Sequence, residues 1–459
     1  VNPAAFVLAV LTTVTFPVTT ADAGAQSDFD RGLFFYYAYD GADAARAFDA
    51  AAARDPKLAI AYWGEALADG PDLNTAMSQE RFLRAKTAAE KAVDLEKYAS
   101  SPQRAYINAI ALRYKGSWAD WKDDDATYRS AMKRLAEDRG GGADDVATVL
   151  AAEAFLESGG FVWAGAAPVA ADSREALVLV KSVLARDPAN IMANHLCIHL
   201  YDGASNREAA LACARQLDAA ELPPQAEHLA HMPAHYWIEA GNYVAAAASS
   251  ERAYQLFMRL EQIRDRDADH DRYLVHDVYV GYSAAMMLED YANARVWSAR
   301  MDAAYGTPFD ALTAFRFGHF ADAYALARDA TPSELAVRGL AAIELGRDAD
   351  ARAIAVRVRK LTTGGDLVQL FLGRMAELDG DFTQASIWID RAVKTQRDTF
   401  ADELIPLVPA LEARGAFAMR RAAYSDAAAA YRATLAAYPN DPRAVAGLAA
   451  AIKAEAKTP

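Results

Sequence analysis

The stretch Gly41-Ala-Asp-Ala44-Ala-Arg-Ala-Phe48-Asp-Ala-Ala51-Ala-Ala-Arg-Asp-Pro56 carries the spacing Ala44-x3-Phe48-x2-Ala51-x4-Pro56. The same spacing returns near the other end of the chain as Ala427-x3-Tyr431-x2-Thr434-x4-Pro439. A third copy runs through Leu372-Gly373, the turn Gly380-Asp381-Phe382 and then Ala385-x3-Ile389-x2-Ala392. Small residues at helical spacing let two helices cross closely, a large residue fills the gap beside them, and proline follows because it cannot continue the helix. The unit is therefore two antiparallel helices joined by a short turn. Further copies are legible at Gly241-Asn242-Tyr243 with Ala246 and Ala253, at Asp290-Tyr291 with Ala294, at His319-Phe320 with Ala323, and at Gly346-Arg347 with Ala351. The Gly140-Gly141-Gly142 run and the stretch from Gly159 to Asp172 are expected to be irregular connections.

This pattern resembles the tetratricopeptide repeat, whose unit is about 34 residues long. The resemblance implies an all-α fold: a right-handed superhelical solenoid of helical hairpins with a concave groove lined by the first helix of each pair. Such a solenoid is expected over residues 26–459. Repeats of this kind bind peptides and partner proteins, and fold alone licenses nothing sharper.

Composition bounds the function. In 459 residues, 62 acidic side chains outnumber 48 basic ones, for a net charge of −14. A protein built to grip phosphates clusters lysine and arginine, so nucleic acid is not an expected partner. The 53% hydrophobic content describes a folded rather than a disordered chain. After the apolar stretch Ala4 to Val18, no segment has about 18 uninterrupted apolar residues, so no membrane span is expected beyond it. That first stretch ends in the small-x-small triplets Ala21-Asp22-Ala23 and Ala23-Gly24-Ala25, and residues 1–25 read as a signal peptide that sends the protein to the periplasm or outside the cell. The absence of lysine or arginine before Arg31 is atypical of an export signal, and a buried or disordered N-terminal segment is the other reading. Two cysteines, Cys197 and Cys213, allow one optional disulfide.

Five of the eight histidines lie within 41 residues: His195, His199, His228, His231 and His235. At about 100° per residue, His195 and His199 share one helix face, and so do His228, His231 and His235. Cys197 lies about 200° from His195, on the opposite face, where packing is its expected role. Pro233 interrupts the helix that carries His228 to His235, removing one backbone donor and freeing the Leu229 carbonyl. His270 and His319 read as solvent-facing.

On the repeat resemblance, with Ile198 and Ala234 as helix-crossing residues, the groove positions are His195, His199 and Asp202, then His228, His231, His235 and Glu239; the next repeat adds His276, Tyr279 and Ser283. Glu65, one residue after a crossing at Gly64, would also face the groove. Imidazole is the commonest metal ligand, so the six histidines are the expected metal ligands in a groove segment over about 191–290. Copper is favoured over zinc or iron. Asp202, Glu239 and Tyr279 are the candidate catalytic groups, able to orient a ligand or move a proton. The chain also resembles a bacterial group of tetratricopeptide proteins through Ala61-Tyr62-Trp63-Gly64-Glu65-Ala66-Leu67 with Gly70-Pro71 and Asn74, through Asn194-His195 with Ile198-His199, and through His228-Leu229-Ala230-His231-Met232-Pro233-Ala234-His235. It departs where relatives carry His-Asn-x-His, reading His276-Asp277-Val278-Tyr279, and Phe34-Phe35-Tyr36-Tyr37 stands where a histidine is often found.

The sequence thus reads as an exported solenoid with a transition-metal site, a metal-dependent oxidoreductase acting on a small molecule or peptide held in the groove. The alternatives are a non-enzymatic scaffold for a protein or peptide partner, and a metal storage or delivery protein.

Overall fold

A computed structural model describes residues 14–459 except 139–143, 161–162, 165–166, 266–267, 306–308, 329, 362–364, 400–406 and 458–459. The Gly140-Gly141-Gly142 connection and the start of the expected signal peptide lie outside the described residues. The fold is all-α apart from one short hairpin, and it follows the expected helix-turn-helix grammar. It divides into two compact units: residues up to Pro233 together with Arg252–Asp269, and Ala234–Glu251 together with residues from His270 onward.

The helices of the first unit begin with α1 (Ala23–Tyr37), α2 (Gly41–Arg54), α3 (Ala59–Ala68), α4 (Gln79–Asp94), α5 (Ser101–Arg113) and α6 (Trp121–Asp138). They continue with α7 (Asp145–Gly159), α8 (Ala171–Arg186), α9 (Ile191–Tyr201) and α10 (Leu211–Ala219). Both α11 (Glu227–Glu239) and α12 (Tyr243–Leu260) are divided between the units. In the second unit follow α13 (Ala268–Met287), α14 (Tyr291–Tyr305), α15 (Asp310–Arg316), α16 (Phe320–Leu326), α17 (Pro332–Glu344) and α18 (Asp348–Val358). The chain ends in α19 (Asp366–Leu378), α20 (Phe382–Thr399), α21 (Ala410–Arg420), α22 (Tyr424–Ala437) and α23 (Pro442–Glu455). Between α7 and α8 the expected irregular connection forms a two-stranded antiparallel hairpin, β1 (Trp163–Ala164) with β2 (Ala167–Pro168), with Trp163 opposite Pro168.

One steric device holds the hairpins together. The ring of Phe48 on α2 lies so close to Gly32 and Gly64 that a Cβ there would stand 2.8 and 2.4 Å from it. The second unit repeats the arrangement with Trp297 against Gly281, Phe371 against Gly339, and Tyr431 against Gly415 and Gly447. A flat ring on a bare backbone brings two helix axes close without leaving a void, which is the packing the Ala/Gly and aromatic spacing encodes.

The first unit also takes in chain that precedes α1. Phe16 is buried, its ring centroid 5.5 Å from Phe29, 6.2 Å from Trp63 and 5.1 Å from Tyr106. Its backbone N–H donates to Asp30 at 2.9 Å and its carbonyl accepts from Gln26 at 2.8 Å. Asp22 caps α1 by accepting from the Gly24 and Ala25 amides. No described helix is long and apolar enough to cross a membrane.

Candidate metal centre

Helix α9 is entered through Asn190, whose side chain accepts from the Ala193 amide, and every residue from Ile191 to Tyr201 is buried. A helix enclosed on all sides has no solvent face on which to leave a polar group, so His195 and His199 must find partners inside the protein. They find each other, since the Nε2 atoms of His195 and His199 are 3.1 Å apart. The first turn of α11 brings His228, whose Nε2 lies 3.2 Å from that of His195. The ligand atoms of the three rings all fall within 4.8 Å of one another, and the residues are 0, 6 and 2% exposed in chain order. The positions expected to line an open groove are therefore enclosed.

Two further contacts fix these rings. The Tyr37 carbonyl lies 3.3 Å from His195 Nδ1, so that nitrogen carries the proton and the lone pair of the neutral ring sits on Nε2. Asn74, in the turn between α3 and α4, brings its side-chain amide to 3.4 Å from His228 Nε2. Tyr39 packs against all three imidazoles, with ring centroids 4.4, 6.4 and 5.5 Å from His195, His199 and His228. It does so from a left-handed backbone conformation, φ 60°, at the end of α1. Glycine takes this conformation at the helix ends Gly203, Gly241, Gly346 and Gly380, while Glu289 and Ala422 share it with Tyr39, a conformation that a Cβ disfavours.

A buried acidic group stands behind this aromatic layer. Glu153 on α7 accepts from the Tyr36 hydroxyl at 2.6 Å. Burial raises its carboxyl well above the usual range, while hydrogen bonding to Tyr36 and Tyr39 acts the other way. Spacing gave no signal for Tyr39 or Glu153. Asn74 stood within a block of sequence resemblance but carried no assigned role.

The remaining expected site residues are distributed differently. His231 is fully buried on α11 with its ring 6.3 Å from that of His228. In the second unit, His235 and His276 stack at 5.2 Å with their Nε2 atoms 3.3 Å apart. His231 precedes His235 by one turn of the same helix, which runs on through Pro233. Asp202 caps the C-terminal end of α9 and Glu239 ends α11, and neither enters a three-ligand set among the described residues. Tyr279 lines a cavity of about 360 Å³ with Phe309, Leu312, Glu334 and Asp366. Glu65, on α3, has its carboxyl raised to about 7 by burial, with Asp49 and Asp69 adding to the shift. Cys197 is joined to Cys213 by a disulfide that ties α9 to α10. His319 is exposed and stacks on Tyr291 at 4.1 Å, while the side chain of His270 lies outside those described.

Comparison with known proteins returns only distant structural likenesses. No family model matches the sequence, and no curated protein matches it. Among solved structures, a tetratricopeptide repeat protein from Parabacteroides merdae is 14% identical, with 65% of this chain and 96% of that one covered and a TM-score of 0.35. Yeast Tom70 is 11% identical over 94% of this chain and 96% of its own, with a TM-score of 0.29. The Cut9–Hcn1 assembly of APC/C is 14% identical over 93% of this chain and 76% of its own, with a TM-score of 0.31. By its helix pairs and their ring-on-glycine crossings, the chain has a tetratricopeptide-like, all-helical fold.

Proposed function

We propose that this protein binds a transition-metal ion through the Nε2 atoms of His195, His199 and His228. The observation that carries this reading is the convergence of three ring nitrogens, with His195 Nε2 at 3.1 Å from one and 3.2 Å from the other. A neutral imidazole nitrogen has one in-plane lobe, holding either a proton or a lone pair, and that lobe serves one hydrogen-bond partner well. Two partners at once are poor hydrogen bonding and good coordination geometry. Ligands about 2.0–2.1 Å from an ion at the tetrahedral angle stand about 3.3 Å from each other, close to the separations found here.

Copper is the ion we favour. An all-imidazole set suits it, and the Cys197–Cys213 disulfide fits the oxidising compartment in which an exported protein works. His235 and His276 supply a further pair of imidazoles within the second unit, so a second ion is part of the reading. Bound copper would supply redox chemistry, making the protein an oxidoreductase for a small molecule or peptide. The chain's own contribution is to hold three neutral rings in place, to keep His195 Nδ1 protonated with the Tyr37 carbonyl, and to exclude water with Tyr39. The competing reading is an interaction scaffold, favoured by the tetratricopeptide-like hairpins, in which the imidazoles serve only as buried polar contacts.

Elemental analysis of untagged protein separates the two, with a His195→Ala, His199→Ala double variant alongside. Stoichiometric copper, zinc or iron that falls by one equivalent in the variant supports the metal reading. A wild type that holds no metal after reconstitution overturns it and leaves the scaffold.

A further inference from the structure

Three histidines leave one position of a tetrahedral ion open, and the structure sets a specific side chain beside it. Asn74 lies in the turn Pro71-Asp72-Leu73-Asn74-Thr75, six residues beyond the end of α3 at Ala68. The turn is closed on itself: the Asp72 carboxylate accepts from the Asn74 backbone amide at 2.8 Å, and Asp72 and Thr75 exchange backbone hydrogen bonds at 3.2 and 3.3 Å. From there the amide end of Asn74 reaches to 3.4 Å from His228 Nε2, the same atom that faces His195 Nε2. That is again about the spacing of two ligands on one tetrahedral ion.

We propose that Asn74 supplies the fourth donor through its side-chain carbonyl oxygen. This rests on the metal site proposed above. The two ends of a carboxamide have the same shape, and half a turn about its last torsion exchanges nitrogen for oxygen. An ion at the centre of the three nitrogens repels the N–H end and attracts the carbonyl, so metal binding selects the oxygen. The resulting shell is three nitrogens and one oxygen drawn from α9, α11 and the α3–α4 turn. Its members differ in strength. The imidazoles are locked in buried helices, whereas the amide oxygen is neutral, weakly basic and carried on a half-buried turn. Asn74 is therefore the replaceable ligand, and an incoming small donor molecule reaches the ion by displacing it.

The test uses full-length protein loaded with cobalt(II), whose visible bands report coordination number, together with zinc affinity from competition with a chelator. Four chains are compared: wild type, Asn74→Ala, Asn74→Asp and His228→Ala, each checked for folding by circular dichroism. Wild type is expected to show four-coordinate bands. Asn74→Ala is expected to shift those bands, to bind azide at lower concentration than wild type, and to weaken zinc at least about tenfold. Asn74→Asp, which places an oxygen at the same point, is expected to keep zinc affinity at or above wild type with altered bands. Unchanged bands and affinity in Asn74→Ala overturn the assignment of Asn74 while leaving the histidine site intact, provided His228→Ala loses the metal. Should Asn74→Ala not fold, unchanged bands in Asn74→Asp overturn it instead. Folded wild type that takes up neither cobalt nor zinc overturns both this assignment and the metal reading.

Discussion

The Nε2 atoms of His195 and His228 stand 3.2 Å apart, although the two residues are 33 positions apart in sequence and sit on different helices. Because His195 Nε2 also lies 3.1 Å from that of His199, removing any one ring takes away one of the three imidazoles of the proposed site rather than a peripheral contact. We expect His228→Ala to reduce zinc affinity at this site by more than about 100-fold, beyond the range typical of outer-shell partners. The change His276→Ala, in the second unit, should leave this site's affinity at the wild-type value. Competition titration of both variants against a chelator measures the contrast.

Cys197 lies between His195 and His199 in sequence and on the opposite side of the helix, where its disulfide to Cys213 closes a loop with a sequence separation of 16. A loop of that length is worth roughly 3 kcal/mol through the entropy it removes from the unfolded chain. Reduction, or Cys197→Ser with Cys213→Ser, should lower the thermal midpoint. Zinc affinity should fall with it, because α9 then loses its tie to α10. Calorimetry and metal titration with and without dithiothreitol give both readings.

Glu65 provides a pH signature. Burial raises its folded-state carboxyl to about 7, whereas in the unfolded chain it titrates near 4.3. The folded protein therefore holds a proton that the unfolded chain releases between these values. The stability tied to that proton is complete below about pH 4.3 and is lost as pH rises through about 7. Glu65→Gln keeps the neutral form at every pH, so its thermal midpoint should match wild type at pH 4 and exceed it at pH 8. Equal midpoints at pH 8 would contradict the assignment.

Phe16 is 6% exposed and touches Phe29, Trp63 and Tyr106, so it behaves as a core residue of the first unit. In the full-length chain, with residues 1–25 retained, Phe16→Ala should cost about 3 kcal/mol, the lower end for a buried phenylalanine, read as a lower urea midpoint with an unchanged slope. A variant as stable as wild type would show that the first unit folds equally well without this ring.

The sequence by itself determined the helical hairpin, because the Ala/Gly and aromatic spacing and the proline stops act between residues a few positions apart, where the 3.6-residue period fixes who meets whom. It also determined that His195 pairs with His199, one helical turn apart. What only the tertiary structure decided is which helices share a ligand set. Six imidazoles and a phenol expected in one groove resolve into a buried trio, a buried His231 three residues beyond His228 on α11, a stacked His235–His276 pair and a Tyr279 that lines a cavity. The partners that complete the trio come from far along the chain: Asn74 reaches His228 across 154 residues, and the Tyr37 carbonyl reaches His195 across 158. No periodicity records such meetings, since they depend on how whole hairpins stack, on summed packing of rings against glycines rather than on any local rule. The histidine spacing of the candidate site was thus written locally, while the meeting of its three imidazoles was assembled by the fold.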